Sequence, residues 1–411
     1  MISVEEHLAR CLDAVGPLPA EHVPLLAARG RTLAADVASA LALPGFDNSA
    51  MDGFAVRACD IAAATADAPV ALPVAGEVAA GSGRPAPLPP GSAMRIMTGA
   101  PLPEGADAIV PVEWTGGWAE GRTVSVRRKA DSGAYVRRAG EDVTLDEVVL
   151  RAGTVLTSRH VALLAAVGRA HLPVHRVPRV AVLSSGSELV PPGRPLGFGQ
   201  VHDSNGYGLA AAADALGALA RYLGIVPDDA GAVRDALEHA AAGADLVLTS
   251  GGVSAGVYDT VKEVLATLGT VRFERVAMQP GMPQGFGTFD GVPVVTLPGN
   301  PVSSMVSFEV FVRPVLRRLE GVPDPAARSV VAAVAGVGWR SSAGRRQYAR
   351  AVLEPSRRAG SPPVVRPVGA QGSHLVADLA AAACLAVVPE DVTEVRAGDE
   401  VRCLPLSEVE R

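Results

Sequence analysis

The chain has 411 residues, a formal net charge of -6 and a hydrophobic fraction of 48% that includes only 4% aromatic residues. That length predicts about three domains, with cores of Val, Leu and Ala, and the acidic balance argues against a nucleic-acid-binding surface. The four cysteines, Cys11, Cys59, Cys384 and Cys403, form no CxxC and have no histidine at zinc spacing, which sets aside a disulfide framework and a structural zinc site. The opening MISVEEHLAR carries acids where a signal peptide needs a basic then apolar run. No segment reaches the roughly 18 uncharged apolar residues of a membrane span, so the expectation is a cytoplasmic protein with reduced thiols.

In chain order, Val4, Leu8, Leu12 and Val15 fall on one helical stripe, with Ser3 as N-cap and Glu6 at the capping-box position. Residues 41–56 read as a turn followed by a strand and carry Asp47, Asn48 and Asp52; by local pattern alone these side chains cap turns. Short strands punctuated by Gly and Pro over residues 70–149 predict a β-rich domain. Within it Thr98 stands on a glycine turn, and Arg137, Arg138, Glu141 and Asp142 crowd the next one. Residues 150–178 read as a connector in which Thr157 caps a helix over 158–167. His160, His171 and His175 lie near that helix, but their irregular spacing reads as turn or surface histidines rather than metal ligands.

From residue 179 the pattern changes to strand and helix in alternation, which predicts a mostly parallel, doubly wound sheet whose ligands sit at the C-terminal strand ends. Small-residue turns follow those ends: Ser184-Ser185-Gly186 with Glu188 beyond, Asp203-Ser204-Asn205, Ser250-Gly251-Gly252, and Pro298-Gly299-Asn300. Backbone N–H groups at such turns suit an anion, phosphate above all. Carboxylates beside a phosphate cradle are the usual way to hold Mg²⁺, and Asp203, Asp259 and Glu188 are available for it. Asn300 caps a helix over 301–319 with Pro301 at its first position. The remaining strands, over 330–337, 347–354, 364–368, 384–389 and 400–404, predict a small C-terminal barrel or sandwich. No GxxxxGK[ST] and no GxGxxG after a strand is present, which leaves metal, backbone and carboxylates to run the chemistry.

Six runs then carry a resemblance: Asn48 to Val56, Ile96 to Ala100, Ala139 to Asp142, Asp203-Ser204-Asn205, Thr249 to Ser254, and Leu297 to Ser304. Together, in order and over essentially the whole chain, they resemble the molybdopterin molybdenumtransferase family, which includes the E domain of gephyrin-type proteins. The resemblance implies an extended linking domain (1–45 and 150–178), a β-rich domain (46–149), an α/β molybdopterin-binding domain (179–322) and a C-terminal β barrel (323–411). It implies a homodimer with its site between domains and subunits, adenylylated molybdopterin and molybdate as substrates, Mg²⁺ as cofactor, AMP as product, and a molybdopterin adenylyltransferase as a possible partner.

Carried onto this sequence, the resemblance gives Asp52, Thr98, Asp142 and Glu188 as catalytic, with the first three reaching the site from the β-rich domain across the dimer. Asp203 and Asp259 become Mg²⁺ ligands. Ser250, Gly251, Gly252, Ser254, Pro283, Pro298, Gly299, Asn300 and Ser303 bind the pterin compound, joined by Arg345 and Ser373 from the barrel. One departure stands out: where the family has Lys-Pro-Gly-Lys-Pro, this chain has Gln279-Pro280-Gly281-Met282-Pro283. A working transferase with its anion held by Arg345, backbone donors and Lys262 is the preferred reading, because the acids for Mg²⁺ are retained. The alternatives are a paralogue with altered oxyanion, such as tungstate, or substrate preference, and a non-catalytic molybdopterin-binding or scaffold protein.

Overall fold

Six strands of the central region form one sheet, in the order Leu219–Val226, Arg179–Ser185, Leu246–Ser250, Val292–Leu297, Pro283–Phe289, Val271–Arg275. The computed structural model in which they are seen describes residues 1–81, 83–118, 122–251, 260–267, 270–356 and 360–406. The first four strands run parallel, and Pro283–Phe289 runs antiparallel to both of its neighbours. Both faces are covered, which is why Val180–Val182 and Leu246–Leu248 are apolar without alternation. Leu209, Phe308 and Val315 pack over Val182, Leu248 and Val295 on one face. Leu237 and Leu265 pack over Ala181, Val247 and Val294 on the other.

This topology fixes the location of the site. The parallel strands end together at Ser185, Ser250 and Leu297, the edge at which open α/β sheets bind ligands. The antiparallel strands add two more residues there: Gly285 pairs with Thr296 and Arg275 with Pro283, so one strand begins and the other ends at the same edge.

The helix expected over 301–319 is continuous but not uniform. It runs as Pro301–Ser307, a π-helical turn Phe308–Val312, and Arg313–Leu319. Pro314 has no N–H to give to the preceding turn, and a π turn at that point absorbs the lost hydrogen bond.

The N-terminal helix Val4–Asp13 starts where expected, with Ser3 Oγ accepting from Glu6 N–H at 3.0 Å. Its packing was not legible in the sequence: Cys11 joins the α/β core, while Val4 packs with Val276, Met278, Val306 and Leu385 at the junction with the barrel. Beyond it, Ala20–Pro24 pairs antiparallel with His171–His175 and Val37–Ala38 with Val148–Leu150. These segments share a core of Leu33, Leu156, Leu164, Leu172 and Val174. His160 closes the capping box of Ser158–Ala166, its Nδ1 accepting from Thr157 N–H at 3.2 Å, and His175 bonds the Leu18 carbonyl at 2.7 Å. Both histidines therefore serve local structure.

The β-rich region is a five-stranded sheet in the order Ala108–Pro111, Gly53–Val56, Ala93–Ile96, Val70–Val78, Thr123–Val126. The C-terminal region is a closed barrel: Arg346–Glu354, Val364–Pro367, Val331–Ala335, Glu400–Pro405 and Cys384–Val388 pair in turn, and the last returns to the first. Its interior is filled by small residues, among them Ala333, Ala349, Ala351, Ala386, Cys384 and Cys403. Among the described residues no helix is long and apolar enough to cross a membrane.

Candidate functional site

The turns that end the parallel strands meet, and Asn205 is where they are tied. Its Nδ2 donates to Ser250 Oγ and to the Gly299 carbonyl, both at 2.7 Å. The Gly299 carbonyl can only accept, so the amide orientation is fixed and Oδ1 is left buried without a partner among the described residues. Gly251 lies between the other two turns. Its N–H donates to the Leu297 carbonyl at 3.1 Å, and a Cβ on it would collide with the Ser185 carbonyl oxygen. With φ at +89° the position suits glycine on both counts. Ser185, Asn205, Ser250, Gly251 and Gly299 thus form one contiguous small-residue cradle. Gly252, Ser254 and Asp259 lie outside the described residues.

The acids around this cradle differ in what they can still bind. Asp203 is 2% exposed, and its Oδ1 accepts from Gly206 N–H at 3.0 Å while Oδ2 accepts from Tyr222 Oη at 2.5 Å. It holds the start of helix Asn205–Ala215 rather than presenting an open carboxylate. Tyr222 is correspondingly harder to ionise, through burial first and then its bond to Asp203. Glu188 is the opposite case. It is exposed, its carboxylate lies back across Gly186, and it makes no side-chain hydrogen bond or ion pair among the described residues. Among those residues no cluster of three His, Cys, Asp or Glu side chains has metal-binding spacing.

Pro283 reaches the same edge through its pairing with Arg275. The turn before it is held from below by buried Gln284, whose Nε2 donates to the Gly281 carbonyl and to Ser307 Oγ, both at 2.6 Å. The turn is not without charge. Arg275 places its guanidinium on Met282, Nε and Nη2 lying 3.3 and 3.2 Å from Sδ. Its neighbour Glu274 is bonded instead to His7 and Arg10 of the N-terminal helix. Lys262, expected to help hold an anion here, sits 5.9 Å from the centre of the Phe273 ring.

The barrel contributes Ser373 directly: Asn300 Nδ2 donates to its Oγ at 3.0 Å and Val302 N–H to its carbonyl at 3.1 Å. Sequence reasoning missed what holds Ser373 in place. Arg350 is 1% exposed, and its guanidinium donates to the carbonyls of Ala370 and Gly372 at 2.5 and 2.9 Å, fixing the loop. Arg345 immediately precedes Arg346, which pairs with Met278 beside the Gln279 turn; it makes no bond to Ser303 among the described residues. Ser303 itself is 5% exposed in the first turn of its helix.

A second polar group forms on the β-rich region. Thr98 donates to Asp52 Oδ1 through both its N–H, at 2.6 Å, and its Oγ1, at 2.7 Å, and these bonds hold the Asp52 carboxyl below the usual range. Asp47 accepts from Arg138 Nη1 at 2.5 Å and Ala139 N–H at 2.8 Å, and exposed Asp142 follows on that loop. Among the described residues no hydrogen bond, ion pair or strand pairing joins this group to the α/β edge.

Three family models cover the chain in succession: the MoeA N-terminal region (domain I and II) matches residues 2–168, the probable molybdopterin binding domain 181–318, and the MoeA C-terminal region (domain IV) 332–406. Molybdopterin molybdenumtransferase 2 of Mycobacterium tuberculosis (strain ATCC 25618 / H37Rv) is 46% identical over 99% of this chain and 100% of its own length. The molybdopterin molybdenumtransferase of Haemophilus influenzae is 35% identical over 99% of both chains. The crystal structure of a molybdopterin biosynthesis MoeA protein from Pyrococcus horikosii superposes with a TM-score of 0.84 at 32% identity, covering 99% of each chain.

Proposed function

Because the chain belongs to the molybdopterin molybdenumtransferase family, we propose that it inserts molybdenum from molybdate into adenylylated molybdopterin and releases AMP. The observation that carries this reading is the cradle joined by Asn205 and closed from the barrel side by Ser373. Backbone N–H groups and hydroxyls at strand ends bind phosphate oxygens without a bound nucleotide motif. The Arg275 guanidinium supplies the positive charge that the neutral Gln279 to Met282 turn lacks, and a fork of N–H donors fits a tetrahedral oxyanion.

Mg²⁺, when bound, neutralises charge on the phosphate linkage being broken. Glu188 is the carboxylate that suits it, being exposed and unpartnered among the described residues, whereas Asp203 has both oxygens already engaged. Asp203 is instead assigned to fix the loop that carries Asn205. Asp52, Thr98 and Asp142 are assigned to the site of a second copy in a homodimer, a reading supported by their separation from the α/β edge within one chain. The test is direct: purified protein given adenylylated molybdopterin, Mg²⁺ and molybdate should release AMP and yield cofactor that reconstitutes a molybdoenzyme. No AMP release at millimolar molybdate overturns the reading.

A further inference from the structure

The Gln279 to Pro283 turn exchanges a fixed charge for an oxidisable group. Where a lysine would carry its own cation, Met282 presents a thioether, and the cation comes from Arg275, whose Nε and Nη2 lie 3.3 and 3.2 Å from Sδ. Among the described residues no other methionine sulfur accepts a hydrogen bond. The backbone keeps the two side chains together: Val276 N–H donates to the Met282 carbonyl at 2.8 Å, and Arg275 pairs with Pro283. Met282 is half-buried and Arg275 exposed, so the pair lies within reach of a small solute, whereas Met278 on the preceding strand is fully buried.

A thioether accepts weakly and leaves the guanidinium fork available to an oxyanion. A sulfoxide is a different partner, because its oxygen is polar and accepts strongly. Hydrogen peroxide makes one from the other: an oxygen atom is transferred to Sδ, the O–O bond breaks, the sulfur loses two electrons, and the second oxygen leaves as water with both protons. The new oxygen forms beside Arg275. The neighbouring carboxylate of Glu274 does not compete for that guanidinium, since His7 and Arg10 hold it.

We propose that Met282 is a modification site at which peroxide controls the oxyanion pocket, its sulfoxide oxygen taking the Arg275 guanidinium that the reduced thioether leaves free. The inference rests on the oxyanion reading of this turn and adds a chemical input to it. With both Gln279 and Met282 neutral, occupying Arg275 removes the charge that the turn borrows from its neighbouring strand.

The test is a cycle of peroxide treatment against Arg275→Gln, read by equilibrium dialysis with inorganic molybdate while peptide mass spectrometry follows oxygen added at Met282. The expected result is an affinity about five- to tenfold weaker once Met282 is oxidised, the loss of a charge-assisted hydrogen bond, and restored by methionine sulfoxide reductase. In Arg275→Gln the same oxidation should change nothing further. Met282→Leu, whatever its own affinity, should not respond to peroxide. A second readout needs no ligand: phenylglyoxal modification of Arg275 should slow when the sulfoxide holds the guanidinium. Affinity unchanged by full oxidation of Met282, a loss that persists in Arg275→Gln, or a Met282 no more readily oxidised than buried Met278 overturns the assignment. Absence of molybdate binding by the untreated wild type overturns the oxyanion reading instead, and the phenylglyoxal rate then decides whether the sulfoxide captures Arg275.

Discussion

The guanidinium of Arg275 rests on the thioether of Met282, two of its nitrogens lying 3.3 and 3.2 Å from Sδ. A thioether is a weak acceptor, so the contact places the cation without neutralising it. Glu274 cannot neutralise it either, because its carboxylate is held by Arg10 and His7. The turn therefore regains one positive charge from a neighbouring strand.

Arg275→Gln should weaken molybdate binding about tenfold, the loss of a charge-assisted hydrogen bond worth about 1.4 kcal/mol. Met282→Lys should tighten it by a similar factor, since it adds a second cation to the same turn. Equilibrium dialysis with inorganic molybdate reads both changes. An affinity indifferent to either substitution would remove this turn from the oxyanion pocket.

Gly251→Ala should damage both fold and function. The residue has φ of +89°, and its missing Cβ leaves room for the Ser185 carbonyl oxygen. Backbone strain and a collision with rigid neighbours together predict a loss of roughly 2 to 4 kcal/mol. Urea denaturation measures it, with Gly344→Ala, where a Cβ meets nothing within 4 Å, as a left-handed glycine control that carries strain but no collision. Equal losses at both positions would mean that the close approach at Gly251 matters little.

Much of this site could be read from sequence because its parts lie at strand ends. Strand and helix alternation over residues 179–300 dictates which turns share an edge, so Ser250, Gly251 and Gly299 could be placed together before any coordinates. What pattern does not encode is which neighbour consumes a given polar group. Asp203 reads as an open ligand until Tyr222 and Gly206 are seen to occupy its oxygens. Nothing in the pattern marks Arg275 until antiparallel pairing brings it opposite Pro283. Nothing in the pattern marks Arg350 until barrel closure buries it beneath the loop that presents Ser373. Each of these depends on a contact distant in sequence.

Acid stability should follow one carboxylate on the opposite edge of the central sheet. The Asp245 side chain is 8% exposed and paired with Arg176 and Arg179. Burial alone would raise its pKa, but bonds from Arg176, from Arg179 and from the Arg179 N–H bring it down to about 2, against an ordinary 3.8. A carboxyl depressed in the folded state stabilises the protein fully above its unfolded pKa and ceases to do so as pH falls through the folded value. Allowing for solvent screening of the arginines, the contribution is about 1 to 2 kcal/mol. Asp245→Asn should therefore be less stable than wild type by that amount at pH 7, with the gap closing between about pH 4 and pH 2. Urea melts across that range decide it, and a gap that persists at pH 2 would assign the effect to packing rather than charge.

The separation between the Asp52 and Thr98 pair and the Asn205 cradle has a consequence for mixed assemblies. Both groups are anchored locally, the first by two bonds from Thr98 and the second by bonds across three turns. If each site of a twofold homodimer takes its cradle from one copy and its β-rich pole from the other, Asp52→Asn and Asn205→Ala damage opposite sides of one site. Each homodimer should then be inactive, since both of its sites carry the same defect. A mixed dimer carries one site with both defects and one with neither, so it should recover roughly half of wild-type AMP release per dimer. Co-expression with two different affinity tags and sequential purification isolates the mixed species. Asp52 is exposed, so its substitution should change stability by less than about 0.5 kcal/mol and leave assembly intact. Mixed dimers as inactive as either parent would place Asp52 and Asn205 in the same chain's site.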